Sequence, residues 1–245
     1  MNIAYIVPTR LQSSRLPEKP LIKILGKEMI LHVIDRIASV VSKELIFVAT
    51  DSNKIANVVS NYGFSVIQTG NHPTGTDRIA EANEQLQAKY VINVQGDEPA
   101  FNPADIISAR DFLLGNQFGV ITGFSRLTDG AELSDPNTIK LVFSNSGKLL
   151  YISRAQIPGS KIPTVTSPTY RQVCIYGYTR ESLSTFRHLN RSPLEVSEDH
   201  ELLRFVENDI PVGVVELTDW SIPVDVISDI EAVENQLRKK FMFDL

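Results

Sequence analysis

The chain has 245 residues, 42% of them hydrophobic and 22% charged, with a formal net charge of −5 at pH 7. That is enough apolar material to bury a substantial core, and it is read as a single domain spanning 1–245. The anionic balance argues against nucleic acid as a partner, so a chain of this charge that binds an anionic ligand must gather its positive charge in one loop. Cys174 is the one cysteine, which excludes an intramolecular disulfide and a cysteine zinc framework and fits a reducing, cytoplasmic setting.

In chain order, the apolar run 3–7 is far too short for a membrane span or a signal segment and reads as a buried strand. Further strands are expected at 45–49, 65–68 and 90–95. Between them, 28–41, 53–62 and 76–88 carry apolar residues at helical spacing, the alternation of βαβ units. The second half is expected to hold strands at 119–126, 139–143, 172–178 and 212–216 and helices at 180–188, 195–208 and 228–241. Three prolines within 158–168 make that stretch a surface loop.

Three segments carry chemistry. The first follows the opening strand: Val7-Pro8-Thr9-Arg10-Leu11-Gln12-Ser13-Ser14-Arg15-Leu16-Pro17-Glu18-Lys19-Pro20-Leu21. In an α/β sheet, ligands bind beyond the carboxyl ends of the strands, where Arg10, Arg15 and Lys19 would meet a triphosphate. An ordinary solvated basic loop is the competing reading. The second is Asn93-Val94-Gln95-Gly96-Asp97-Glu98-Pro99, an apolar strand ending in acids. Mg²⁺ takes one or two protein carboxylates and fills its octahedron with water and phosphate oxygens, so Asp97 with Asp225 would suffice, against the alternative of capping or turn roles. The third, Gly70-Asn71-His72-Pro73-Thr74-Gly75-Thr76-Asp77-Arg78, leads into a helix with Thr76 as N-cap; Gly75, Thr76 and Arg78 either cap it or touch a nucleotide. His32, His72, His188 and His200 do not cluster and read as surface or structural residues.

Together these segments resemble the 3-deoxy-manno-octulosonate (Kdo) cytidylyltransferases, in order and over nearly the whole chain. The first loop is similar to the family's PAR-x-x-S-x-RLPGKPL, with Thr9 in place of its usual alanine and Glu18 in place of its glycine. Further matches are Val48-Ala49-Thr50-Asp51, Gly75-Thr76-Asp77-Arg78-Ile79-Ala80-Glu81, Asn93 to Pro99, Ser153-Arg154-Ala155, Ile175-Tyr176-Gly177-Tyr178 and Pro193-Leu194-Glu195. The resemblance implies a GT-A-like α/β nucleotidyltransferase fold, a mixed, mostly parallel sheet flanked by helices, with a nucleotide-binding part over 1–100 and a sugar-binding and dimerisation part over 101–245. It also implies a homodimer, CTP as co-substrate, Mg²⁺ as cofactor, and a role in lipopolysaccharide biosynthesis. On this reading Asp97 and Asp225 hold the metal. Arg10 and Lys19 neutralise the triphosphate, and Arg15 draws the reactants together. Pro8, Thr9, Gly75, Arg78 and Gln95 frame the nucleotide, and Gln172, Tyr176, Glu195 and Glu198 face the sugar.

The chain departs from the family where the sugar binds. Arg171-Gln172-Val173-Cys174 stands for the family's Arg-His-Leu-Gly, and His200-Glu201-Leu202-Leu203-Arg204 for Leu-Glu-Gln-Leu-Arg; Val226-Ile227-Ser228 also replaces Thr-Pro-Glu after Asp225. These changes widen the expected acceptor to Kdo or its 8-amino analogue. Other readings are a sialic-acid cytidylyltransferase, which fits the RLPxKPL and QGDEP segments less well, and a non-catalytic nucleotide-binding protein. A dinucleotide dehydrogenase lacks its glycine fingerprint here.

Overall fold

The structure is a computed structural model that describes residues 1–13, 15–127, 130–161, 167–218 and 222–243. The chain forms two compact units, Met1–Ile107 with Trp220–Leu245, and Ser108–Asp219.

In the first unit, β1 (Ile3–Pro8) is followed by a hairpin, β2 (Lys23–Ile24) and β3 (Lys27–Glu28). Leu25 and Gly26 turn that hairpin, both at positive φ (49° and 81°), as a two-residue turn matching the strand twist demands. Then come α1 (Met29–Ala38), β4 (Ile46–Thr50), α2 (Asn53–Asn61), β5 (Ser65–Gln68), α3 (Gly75–Leu86), β6 (Tyr90–Val94) and α4 (Pro103–Gly115), the last running on into the second unit. The order is β6-β1-β4-β5 and every pairing is parallel. β1 and β4 are almost wholly apolar because a parallel sheet covered on both faces leaves no wet side. The chain passes from β1 to one side for β4 and to the other for β6, so the switch point lies where Pro8 and Val94 end side by side.

The second unit holds β7 (Val120–Arg126), α5 (Gly130–Ser134), β8 (Lys140–Phe143), β9 (Leu149–Ser153), β10 (Tyr170–Thr179), α6 (Arg180–His188), α7 (Pro193–Glu198), α8 (Leu202–Glu207) and β11 (Val212–Glu216). β7 pairs parallel with β11 and antiparallel with β10, and β8 pairs antiparallel with β10 and β9. Beyond it, α9 (Ile227–Phe243) returns to the first unit, where Val233 and Leu237 pack with Leu16, Ile24, Met29, Ala100 and Val224.

The expected strands are present with shifts of one or two residues, as are most helices. The helix expected at 195–208 is a correction: Asp199 takes a left-handed conformation (φ 48°) and breaks it into α7 and α8. Strand β9 and helices α4 and α5 were not anticipated, and residues 162–166 of the proline-rich loop lie outside the described residues. Among the described residues no helix is long and apolar enough to cross a membrane.

Candidate active site

The carboxyl ends of β1 and β6 build the centre of the first unit's site. After β6 the chain turns through Gly96, which packs so closely on β1 that a Cβ there would meet the Pro8 carbonyl oxygen at 3.3 Å and Val7 Cγ1 at 3.4 Å. That approach sets Asp97 beside the loop after β1. Val224 donates its N–H to the Asp97 carbonyl (3.0 Å), which brings Asp225 alongside. Asp229, in the first turn of α9, accepts from the Asp225 and Val226 N–H groups at 2.8 and 2.9 Å and fixes the second carboxylate.

Lys19 lies between the two acids. Its Nζ donates to Asp97 Oδ2 at 2.7 Å and to Asp225 Oδ1 at 3.1 Å, and Arg15 Nη2 reaches the same Asp225 oxygen at 3.0 Å. Burial by itself lowers the ammonium's pKa, but the charges and hydrogen bonds of Asp97 and Asp225 more than offset it, so Lys19 titrates above its usual range. The geometry thus joins four of the expected residues, Arg15, Lys19, Asp97 and Asp225, although they span 210 positions. Pro8 and Thr9 are buried at the root of the loop, and Thr9 N–H donates to the Ala49 carbonyl (2.9 Å). Arg10 is exposed on the loop and Gln95 is half-buried just before Gly96.

The loop also shows why glycine is usual at position 18. Glu18 has φ 52°, the left-handed region that glycine enters freely and other residues enter at a cost of about 1 kcal/mol or more. The family's usual glycine suits this backbone. Here Glu18 instead pairs with Lys54 at 2.5 Å.

Among the described residues no group of three or more His, Cys, Asp and Glu side chains is gathered for a metal. Asp97 and Asp225 are two partly exposed carboxylates (33% and 29% side-chain exposure), a donor type that suits a hard cation keeping water and phosphate ligands.

The third segment is corrected in two respects. The N-cap of α3 is Thr74, whose Oγ1 accepts from Asp77 N–H (3.1 Å); Gly75 is the first helical residue and Thr76, buried, the second. Arg78 is buried at 2% exposure. Its guanidinium donates to Thr69 Oγ1 (2.6 Å) and the Gly70 carbonyl (3.2 Å) and pairs with Asp51 (3.3 Å), so it braces the ends of β4 and β5 rather than presenting itself to a ligand.

In the second unit, three of the four residues expected to face a sugar are buried. Glu195 is fully buried, and its four lone-pair positions are taken: Oε1 by Arg204 Nη2 (2.6 Å) and Arg191 Nε (3.2 Å), Oε2 by Arg204 Nε (2.8 Å) and Ser192 N–H (3.1 Å). It is a structural anion. Tyr176 is 4% exposed and stacks on Tyr178 with ring centroids 6.4 Å apart; burial pushes its hydroxyl well above the usual tyrosine range. Gln172 is buried between Thr122, whose Oγ1 accepts from Nε2 at 3.0 Å, and His200, whose Nε2 lies 2.7 Å from Gln172 Oε1. Glu198 is half-buried. Burial tends to raise its pKa, yet hydrogen bonds from Ser153 Oγ (2.6 Å), Arg154 N–H (2.9 Å) and the Tyr151 hydroxyl (3.3 Å) hold it below the usual range.

His200 received no specific role from its sequence context. Its Nε2–H donates to Gln172 and its Nδ1 accepts from Leu202 N–H (3.4 Å), a fixed neutral tautomer, and burial drives its pKa down to about 4. Because the folded pKa lies below the ordinary 6.5, the unfolded chain binds the extra proton between these values, and stability falls as pH drops from 6.5 to about 4. The loss amounts to on the order of 3 kcal/mol from this group. Urea unfolding across that window should show a shallower pH slope in His200→Leu; an unchanged slope would assign the acid sensitivity to other groups.

The chain is similar to known proteins along most of its length. The sequence profile of the cytidylyltransferases matches residues 4–214. The 3-deoxy-manno-octulosonate cytidylyltransferase of Syntrophotalea carbinolica is 39% identical over 97% of this chain and 99% of its own length. The 8-amino-3,8-dideoxy-manno-octulosonate cytidylyltransferase of Shewanella sediminis is 38% identical with the same coverage. A CMP:2-keto-3-deoxy-manno-octonic acid synthetase solved with CTP superposes with a TM-score of 0.91 at 31% identity, covering 98% of this chain and all of that one. A profile match over most of the chain, with relatives of this identity along its full length, places the chain in the cytidylyltransferase family.

Proposed function

We propose that the protein transfers CMP from CTP to a 3-deoxy-octulosonic sugar acid, Kdo or its 8-amino analogue, with release of pyrophosphate. The observation that carries this reading is the convergence of Asp97 and Asp225 on Lys19 at the switch point, with Arg15 on the same acid. The anomeric hydroxyl attacks the α-phosphorus of CTP in line, and pyrophosphate departs; such transfers depend on positioning and charge neutralisation. Lys19 and Arg10 neutralise the triphosphate, and Arg15 orients the reactants from the same loop. Mg²⁺, when bound by Asp97 and Asp225, supplies charge to the phosphate oxygens and the leaving pyrophosphate. Pro8, Thr9, Gly75 and Gln95 frame the nucleotide, and Glu198 is the sugar-side residue with exposure to offer. A homodimer working in the cytoplasm, with the nucleotide part over 1–100 and the sugar and dimer part over 101–245, completes the proposal.

Relatives named for both acceptors have nearly the same identity to this chain, so similarity alone does not choose between them. The test is pyrophosphate release from CTP and Mg²⁺ with Kdo, 8-amino-Kdo and a sialic acid. Release with an octulosonic acid, and little with the sialic acid, is expected. CTP binding without release on any acceptor would instead identify a non-catalytic nucleotide-binding protein.

A further inference from the structure

The link between β5 and α3, residues 69–74, adjoins the nucleotide-framing residue Gly75. Its polar backbone is held by one face of α3. Arg78, Glu81 and Gln85 stand at positions i, i+3 and i+7, so they line one side of the helix. Gln85 Nε2 donates to the Gln68 carbonyl at 3.0 Å, and Arg78 takes Thr69 and the Gly70 carbonyl. Between them, the Glu81 carboxylate accepts the Gly70 N–H at 3.0 and 3.2 Å and binds the His72 ring through Nε2. Gly70 is packed on this acid, since a Cβ there would lie 3.5 Å from Glu81 Oε2.

Each of these contacts has a different function in the link. Gln85 holds the end of the strand and Arg78 holds Thr69 and the Gly70 carbonyl, whereas Glu81 holds the Gly70 N–H and His72, the two residues that flank Asn71. Removing it frees the segment just ahead of Thr74 and Gly75 without touching Arg15, Lys19, Asp97 or Asp225. Its effect should therefore fall on nucleotide binding and spare the chemistry.

We propose that Glu81 is a positioning residue for the nucleotide: through Gly70 N–H and His72 it presets the 69–74 link against which CTP docks. This rests on the cytidylyltransfer reading. The test combines equilibrium titration with CTP and steady-state kinetics, at a temperature where circular dichroism shows each variant folded. Glu81→Ala should raise both Kd and KM for CTP about tenfold, the scale of losing a charged hydrogen-bond acceptor, with kcat and the acceptor KM within about twofold. Glu81→Gln, which keeps an oxygen for the Gly70 N–H, should stay within about threefold of wild type. His72→Ala should raise the CTP constants about threefold, and it decides the matter if Glu81→Ala does not fold. Wild-type CTP constants in the deciding variant, or a loss shared equally by kcat and the acceptor KM, would overturn the proposal while leaving the function intact. Wild-type protein that binds no CTP would overturn both.

Discussion

Asp97→Asn is expected to lower pyrophosphate release about a hundredfold or more while the protein stays folded. The exchange is nearly isosteric, and the tie that places this residue, Val224 N–H to the Asp97 carbonyl at 3.0 Å, uses the main chain and survives. What disappears is one of two negative charges available to a divalent cation, and losing a metal ligand's charge removes several kcal/mol of transition-state stabilisation. The partly exposed pair with Lys19 is worth only about 0–1 kcal/mol, so thermal stability should shift by a few degrees at most. Turnover at saturating Mg²⁺ and CTP is the measurement. A wild-type rate would remove Asp97 from the metal site, and a collapse of the circular dichroism signal would show that its role is structural.

The largest effect on stability should come from Glu195→Ala. Arg204 is 2% exposed and keeps its stacking on the Phe186 ring, 3.8 Å from the ring centre, but loses the Glu195 carboxylate. Breaking a buried pair by removing one partner costs about 3–5 kcal/mol. For a chain of this size that corresponds to a fall in melting temperature of roughly 10 °C. The double variant Glu195→Leu with Arg204→Leu should recover much of the loss, because it replaces the pair with apolar surface instead of stranding one half. A single-variant loss below about 1 kcal/mol would mean that water reaches Arg204. Neither change should alter the CTP constants, since both residues lie in the second unit and the nucleotide-side groups lie in the first.

The sequence alone determined the parallel strands to within a residue, because a strand covered on both faces must be apolar along its length: the runs read at 3–7 and 45–49 form Ile3–Pro8 and Ile46–Thr50. It also marked Arg15, Lys19, Asp97 and Asp225 as residues that meet, since a cationic loop and an acid at strand ends come together beyond the carboxyl edge of the sheet. Glu18 shows the boundary. Its departure from glycine is visible in the sequence, but only the backbone angle shows why glycine suits that position. Tertiary structure alone decided which polar residues are open to a ligand. Glu195, Gln172 and Arg78 look like site residues in one dimension, yet a chain that buries charge and amide must satisfy it internally, and the partners, Arg204, His200 and Asp51, lie 9, 28 and 27 positions away. Pairing across such distances leaves no periodicity in the sequence. The break at Asp199 was hidden for a related reason: a single left-handed residue interrupts α7 and α8 without changing the helical pattern of the residues on either side.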